Sequence, residues 1–371
     1  MKKIRYIWVG LLLIALTACG LIHNSKAETV EASNGQTLEV HYIDVGQGDA
    51  TLVKLGKHAM LIDAGPEDSG TKLQSYLQKQ KISSLDYLIL THPDADHIGG
   101  GDVILTKFDC EQVMMSSLSK DTASYRDIKS ALKYRNYQAF EPTAGSTYKL
   151  GDAEFTIVGP TQESEDANNS SISLLLTYGD SKFLFTGDAQ EEEEADILAS
   201  KVDIEADVYQ AGHHGSKTSS SEEFMQAVNP TYAVISCQEG NSYGHPHAEV
   251  LNRFRSMRIK VFRTDEQGSI IAYSDKKNIT WNASPSESWQ AGEPQGTSNK
   301  QKQEQVQTQE QTQPTQDSAE YKYVLNTNTH KFHRPNCSSV DNMAEKNKQL
   351  SSQSRDEIIA QGYAPCKRCK P

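Results

Sequence analysis

The run Leu85-Asp86-Tyr87-Leu88-Ile89-Leu90, followed directly by Thr91-His92-Pro93-Asp94-Ala95-Asp96-His97-Ile98-Gly99-Gly100, constrains this chain more than any other stretch. The first part is short and mostly apolar, which predicts a buried strand. The second places four potential metal ligands, His92, Asp94, Asp96 and His97, within six residues. Gly99, Gly100 and Gly101 come next, so the ligands sit on a loop at the strand's C-terminal end, where an α/β sheet presents its chemistry. Spacing sorts them: His92 and Asp94 can point one way while Asp96 and His97 reach a second point nearby. Two cations a few ångströms apart can share such a loop. A solvated polar turn would also tolerate two histidines. It would not need the strand in front of it, nor the further Asp and His residues along the chain.

A length of 371 residues leaves room for one large domain and something small. The net charge of -12 argues against bulk electrostatic binding of nucleic acid and leaves only a local basic groove. At the N-terminus, Lys2, Lys3 and Arg5 precede an apolar stretch, residues 7–16, too short for a comfortable membrane span. Leu16-Thr17-Ala18-Cys19 resembles the lipobox of bacterial lipoproteins, whose cleavage leaves Cys19 as the lipid-modified first residue. Residues 1–18 are therefore expected to be a lipoprotein signal peptide and 19–37 a tether. The mature chain is then expected at the extracellular face of the bacterial cytoplasmic membrane, held there by the Cys19 lipid. An ordinary signal peptide or a short anchor are the alternatives. The sequence names no protein partner.

From Leu38 the pattern turns strand-like. Residues 38–43 alternate, Asp44-Val45-Gly46-Gln47-Gly48-Asp49 makes a glycine turn, and residues 50–53 and 59–63 read as the next strands. Residues 69–80 and 121–136 carry helical patterns. Further strands are expected at 155–158, 173–176 and 183–185, the last ending in Thr186-Gly187-Asp188. Residues 191–199 predict a helix whose acid-rich first turn suits the helix dipole. Strands at 207–210 and 232–235 enclose another helix, and 248–257 predict one more. Two strand series with interleaved helices imply two sheets packed face to face with helices outside, an α/β sandwich. Residues 284–320 are rich in Gln, Ser, Thr, Glu and Pro and cannot bury a core, so they read as a disordered linker. Residues 321–371 read as a small compact tail.

The motifs Asp44-Val45-Gly46-Gln47-Gly48-Asp49-Ala50, Leu61-Ile62-Asp63-Ala64-Gly65, Thr91 to His97, Thr186-Gly187-Asp188-Ala189, Gly212-His213-His214-Gly215-Ser216 and Gly244-His245-Pro246-His247 together resemble the metallo-β-lactamase superfamily. Within it, their order and spacing over residues 38–283 are similar to the soluble domain of the ComEC-type DNA-uptake channel. The resemblance implies an α/β fold, a four-layer αββα sandwich, with a site for two divalent cations at one sheet edge. It implies that His92, Asp94, Asp96 and His97 form the metal-binding loop. Asp188 matches the carboxylate that bridges the cations, its two oxygens each able to serve one. Asp63 matches an acidic residue that orients the loop from behind, and Asp49 is expected in the same supporting role. His213, His214 and His245 are candidates for a late histidine ligand. His245 is favoured, with His213 or His214 binding metal or holding a phosphate oxygen. His247 is expected to face solvent or to begin the next helix. The catalytic set so implied is Asp96, His97, Asp188 and His214.

Two departures from the superfamily pattern matter. Asp94 stands where histidine is usual, and no histidine occurs between His97 and His213, where Asn168-Asn169-Ser170-Ser171 lies instead. The donor set is thus richer in oxygen, which favours Mn²⁺ relative to Zn²⁺. Cations held this way activate a water and neutralise phosphoryl charge. The expected activity is therefore phosphodiester hydrolysis without a nucleophilic side chain, with extracellular DNA as the substrate the resemblance implies. Another phosphodiester (teichoic acid, phosphocholine or a nucleotide) and a non-catalytic surface-binding protein are the alternatives.

Of the cysteines beyond Cys19, Cys110 and Cys237 read as buried thiols or as a pair, while Cys337, Cys366 and Cys369 cluster in the tail. With His333 they supply four N/S ligands, enough for one tetrahedral structural zinc. A tail of this size cannot fold on its apolar content alone. It is similar to small zinc modules akin to the metal domain of the Ada repair protein. A disulfide such as Cys366–Cys369 is the alternative, and nearby Lys331, Arg334, Lys367, Arg368 and Lys370 suit either DNA contact or a solvated basic face.

Overall fold

The computed structural model describes residues 36–292 and 322–371, less Asn336, Asn342, Ala344 and Lys370. Cys19, the expected signal peptide, all of the tether but its end, and the linker from 293 onward lie outside the described residues. The chain divides into two compact units, Met1–Ser298 and Asn299–Pro371.

The first unit is built on two sheets. One contains β1 (Leu38–Tyr42), β2 (Thr51–Leu55), β3 (His58–Ile62), β4 (Ser84–Leu90), β5 (Asp109–Met115) and β6 (Ala139–Phe140). The other contains β7 (Thr147–Leu150), β8 (Ala153–Gly159), β9 (Ser173–Tyr178), β10 (Ser181–Phe185), β11 (Val208–Gln210), β12 (Tyr232–Ile235) and β13 (Lys260–Arg263). The chain then returns through β14 (Ile270–Ser274) and β15 (Ile279–Trp281) to pair beside β1 in the first sheet. β3 to β6 are parallel, as are β10 to β13; the other pairings are antiparallel. Helices α1 (Gly70–Lys79), α2 (Ala95–Ile98), α3 (Gly101–Lys107) and α4 (Ala123–Arg135) follow strands of the first sheet. Helices α5 (Glu191–Ser200), α6 (Glu222–Val228) and α7 (Ala248–Ser256) follow strands of the second.

Alternation along the strands sorts their side chains into three apolar layers. Ile89 and Met60 join Phe155, Leu174, Phe183 and Phe262 between the sheets. Their neighbours Leu88, Leu90 and Leu61 turn outward onto Leu73 and Leu77 of α1, Leu105 of α3 and Ile128 of α4. On the far side, Leu184, Tyr209 and Ala233 pack against Ile197 of α5, Phe224 of α6 and Phe254 of α7. These layers define the expected αββα sandwich. β4 is apolar on both faces because it lies between two parallel neighbours under helices.

Several elements escaped the sequence pattern, among them β5, α3 and β13 to β15. The triple glycine before α3 reads as a chain breaker, yet it marks close packing: a Cβ on Gly99 would stand 2.3 Å from the Glu67 nitrogen. Residues 284–292, expected in the linker, instead stay on the sandwich. The Ser286 N–H donates to Val261 O at 2.7 Å, Gly292 N–H to Pro246 O at 2.8 Å, and Trp289 packs on the outer apolar layer. Cys110 and Cys237 are both buried free thiols.

The second unit has a four-stranded sheet in the order Lys348–Ser351, Tyr323–Asn326, Lys331–His333, Ala364–Pro365. Its helix Arg355–Ala360 opens with a capping box between Ser354 and Glu357. Leu325, Phe332 and Ile358 form one small core. Among the described residues no helix is long and apolar enough to cross a membrane.

Candidate metal centre

Every parallel strand of the sandwich ends at the same edge, and the charged motifs follow those ends. Asp63 comes after β3, His92 after β4, Asp188 after β10, and His213 and His214 after β11. The loop from β12 to α7 brings His245. Three non-glycine positions here take left-handed backbone: Asp63 (φ 57°), His213 (φ 51°) and His214 (φ 56°). Each such residue costs about 1–3 kcal/mol and persists only where its surroundings hold it. The Asp63 N–H donates to Ile89 O at 2.8 Å, His213 N–H to Gly187 O at 3.1 Å, and Ser216 N–H to His213 O at 2.8 Å. Gly48 (φ +147°) is the matching close approach in the glycine turn, where a Cβ would lie 2.3 Å from Asp96 O.

Proton accounting fixes the histidines. Thr91 Oγ1 donates its single proton to Asp63 Oδ2 at 2.7 Å, so its contact with His92 Nδ1 at 3.1 Å requires that ring to donate. His97 Nδ1 lies 2.8 Å from the same Asp63 oxygen, and His214 Nδ1 lies 3.1 Å from the Ser236 carbonyl. Both acceptors lack a proton to give. In the neutral rings all three protons therefore sit on Nδ1, leaving each Nε2 with a free lone pair. Those nitrogens converge. His97 Nε2 is 3.3 Å from His214 Nε2 and 3.1 Å from Asp188 Oδ1. His214 Nε2 is 3.3 Å from Asp96 Oδ2 and 3.6 Å from Asp188 Oδ2, and His92 Nε2 is 3.8 Å from Asp188 Oδ2.

Facing lone pairs repel unless a proton or a cation lies between them. Burial opposes charge on His97 and His214, but Asp188, with Asp63 and Asp49 respectively, holds both rings well above the usual histidine range. Burial would likewise raise the Asp188 carboxyl, yet His97 and His214 keep it well below the usual carboxylate range. His92, buried and beside His97, is pushed down to about 3. Its Nε2, together with Asp49 Oδ1 and Asp188 Oδ1, is buried without a hydrogen-bond partner. Orphaned buried acceptors of this kind fit a divalent cation, and one oxygen or nitrogen each from Asp49, His97, Asp188 and His214 lie within 4.8 Å of one another.

The remaining predicted residues spread around this point. Asp49 shares the cluster, with its Oδ1 3.6 Å from Nδ1 of His214. Asp94 is held in an ion pair by Lys120 and lines the cavity beside the cluster. His214 enters the cluster, while His213 (Nε2 3.6 Å from Asp188 Oδ2) and His245 line a cavity of about 110 Å³ beside it. Asp188 and His214 line it too, and Gln47, Asp94, Asp96, Asn168 and Tyr243 complete its lining. His247 precedes α7, and its Nδ1 accepts from Lys217 N–H. Ser171, in the segment 168–171, accepts the Asp188 N–H at 3.1 Å and touches His92 Nδ1 at 3.3 Å. Thr91 and Gln47 stand in the sequence only as parts of motifs, with no role of their own, and Lys120 and Tyr243 carry no ligand signature there.

In the second unit His333, Cys337, Cys366 and Cys369 also place four ligand atoms within 4.8 Å of one another, and all three thiols are free. His333 Nδ1 is buried without a hydrogen-bond partner. Burial works against the Cys366 thiolate, but the Cys369 and Arg368 N–H groups bring that thiol down to about 7. The donor set suits Zn²⁺.

Residues 43–239 match the family model of the metallo-beta-lactamase superfamily. The chain is 33% identical over 251 residues to ComE operon protein 3 of Bacillus subtilis, covering 62% of this chain and 32% of that protein. It is 32% identical over 239 residues to Recombination protein 2 of Haemophilus influenzae (63% and 28% covered). It is 29% identical over 230 residues to Competence protein ComA of Neisseria gonorrhoeae (61% and 31% covered). The chain thus spans about a third of the length of these relatives. With the αββα layers and a buried Asp/His cluster at the sheet edge, the match shows that this chain belongs to the metallo-beta-lactamase superfamily.

Proposed function

We propose that this chain is a metal-dependent phosphodiesterase that hydrolyses DNA outside the cell, tethered to the membrane through a lipid on Cys19. The observation that carries the reading is the convergence of Nε2 of His92, His97 and His214 on the Asp96 and Asp188 carboxylates, beside a small polar cavity that Asp96, Asp188 and His214 line. A divalent cation bound there supplies an activated water and polarises a phosphoryl oxygen. Asp96, His97, His214 and one oxygen of Asp188 would hold one cation. His92 and Asp94, with Asp188, would hold a second cation less well. The oxygen-rich composition favours Mn²⁺, with Zn²⁺ as the alternative. Asp96, whose side chain is 32% exposed, would orient the attacking water. His213 and His245, on the cavity wall, donate to a non-bridging phosphate oxygen. The C-terminal Cys/His set would hold a structural zinc.

DNA as substrate rests on the likeness to a protein named for recombination and one named for competence. The net charge of -12 favours a second reading, a small phosphodiester that needs no basic groove. A plasmid-degradation assay with Mn²⁺ separates them. Degradation that falls on the order of 10²-fold or more in Asp96→Ala supports the nuclease. Turnover of bis(p-nitrophenyl) phosphate with intact plasmid supports the small substrate, and inertness toward both rejects hydrolysis. Metal-stripped protein reloaded with each cation tests the metal: full activity with zinc and none with manganese would sink the preference.

A further inference from the structure

Tyr243 is 62% exposed, one of few large hydrophobic side chains so placed among the described residues. It does not lie on an arbitrary surface. It lines the cavity of the candidate metal centre, and its ring lies nearly parallel to that of His245, with centroids 5.5 Å apart and planes 20° apart. The loop that presents it is fixed. Buried Asn241 accepts the Tyr243 N–H at 3.1 Å and the His245 N–H at 3.0 Å, and donates to Gln238 O at 2.9 Å and His245 O at 2.6 Å. Pro246 O accepts the Gly292 N–H at 2.8 Å, so a strap from beyond β15 closes the loop's other side. A tyrosine on a floppy loop would fold its ring against the surface and bury apolar area. Here one ring face rests on His245 while most of the side chain stays open.

The cavity itself holds about 110 Å³ and is walled mostly by carboxylates, imidazoles and amides. That space suits a phosphate and not the ring attached to it. A flat group bonded to that phosphate must therefore lie outside, at the rim, where the open face of Tyr243 stands. Base–aromatic stacking contributes about ten-fold in affinity per base and accepts any base, since every base has a π-face.

We infer that Tyr243 is a stacking platform for the nucleobase next to the scissile phosphate, so that unpaired or frayed strands are taken in preference to closed duplex. The inference rests on the nuclease reading above and specifies its substrate. In a duplex each base already stacks on its neighbours, and using the platform would cost the separation of a base pair.

The test uses the full chain and single-stranded oligonucleotides carrying 2-aminopurine, whose fluorescence is quenched on stacking, with phosphorothioate linkages flanking the labelled step. Wild type is expected to quench the probe, Tyr243→Ala to lose the quenching, and Tyr243→Trp to restore it. With Mn²⁺ and an unmodified single strand, Tyr243→Ala is expected to raise KM about ten-fold, with a smaller effect on kcat. The ratio of cleavage of single strand to blunt duplex is expected to fall in the same variant. Equal quenching by wild type and Tyr243→Ala overturns the inference, as does a fall confined to kcat. Quenching by a wild-type chain that leaves every strand intact overturns the nuclease reading and leaves the platform standing.

Discussion

Asp63 shows how much of this site hangs on one residue. Its left-handed backbone turns the carboxylate inward, where it accepts from Thr91 N–H, Thr91 Oγ1 and His97 Nδ1 within 2.8 Å. It thereby fixes the proton of His97 directly and that of His92 through Thr91. An amide in its place can accept at one position only, so Asp63→Asn is expected to weaken cation binding about 10- to 100-fold, read by competition against a chelating dye. Unchanged affinity would mean that the rings keep their tautomers without it. Lys120 works in the opposite direction by pairing with Asp94 and competing with a cation for its carboxylate. Lys120→Met is expected to tighten binding at the weaker cation position, measured by equilibrium dialysis with Mn²⁺; no gain would show that Asp94 is not a donor. The histidines and aspartates were legible in the sequence because cation chemistry needs those residue types in dense motifs. Lys120 was not, and Ser171 only as part of the segment 168–171, since a lysine or serine reads the same whether it meets a ligand or water.

At the level of elements, legibility followed burial on both sides. β4 was plain because parallel strands under helices are apolar on both faces, whereas β7, β14 and β15 have mixed, half-exposed patterns that carry little signal. Helix α5 was read from its acidic first turn, Glu191 to Glu194, as a dipole-stabilised N-terminus. The structure adds that Glu193 and Glu194 are buried. Glu194 accepts from Ser220 and Ser221 N–H, tying α5 to the start of α6. Glu193 accepts the Thr161 N–H at 2.9 Å, but burial outweighs that bond and the dipole and pushes its carboxyl up from 4.5 to about 7. A raised acid binds its proton more tightly in the folded state, so its contribution is fully present below pH 4.5 and is lost as pH rises to about 7. Glu193→Gln keeps an acceptor for Thr161 and removes the charge. It is expected to stabilise the sandwich by about 1–2 kcal/mol at pH 8 and by little at pH 4, with the difference opening between. Equal melting shifts at both pH values would contradict a titrating Glu193.

For the whole molecule, composition suggests a division of the chain but not the reach of its parts. The Gln-rich stretch marks a boundary because it has nothing to bury, yet residues 286–292 still belong to the sandwich. Trp289 and two backbone hydrogen bonds outweigh their polar neighbours there. The two units also differ in what holds them. The first has three continuous apolar layers. The second has a core of Leu325, Phe332 and Ile358 and a patch of Val324, Val340 and Met343 against the Cys/His set. So few apolar side chains do not offset the conformational entropy of ordering some fifty residues, and a bound metal would contribute folding free energy directly. The full chain is therefore expected to melt in two steps. A strong chelator at neutral pH should abolish the step of the smaller unit, and so should Cys337→Ser in the absence of chelator. The cation-dependent stability of the sandwich would respond to the chelator but not to Cys337→Ser, which separates the two centres within one calorimetric experiment. Added Zn²⁺ should restore the small transition in the chelated wild type and not in the variant. A small transition that survives chelator but disappears on thiol reduction would replace the zinc by a disulfide.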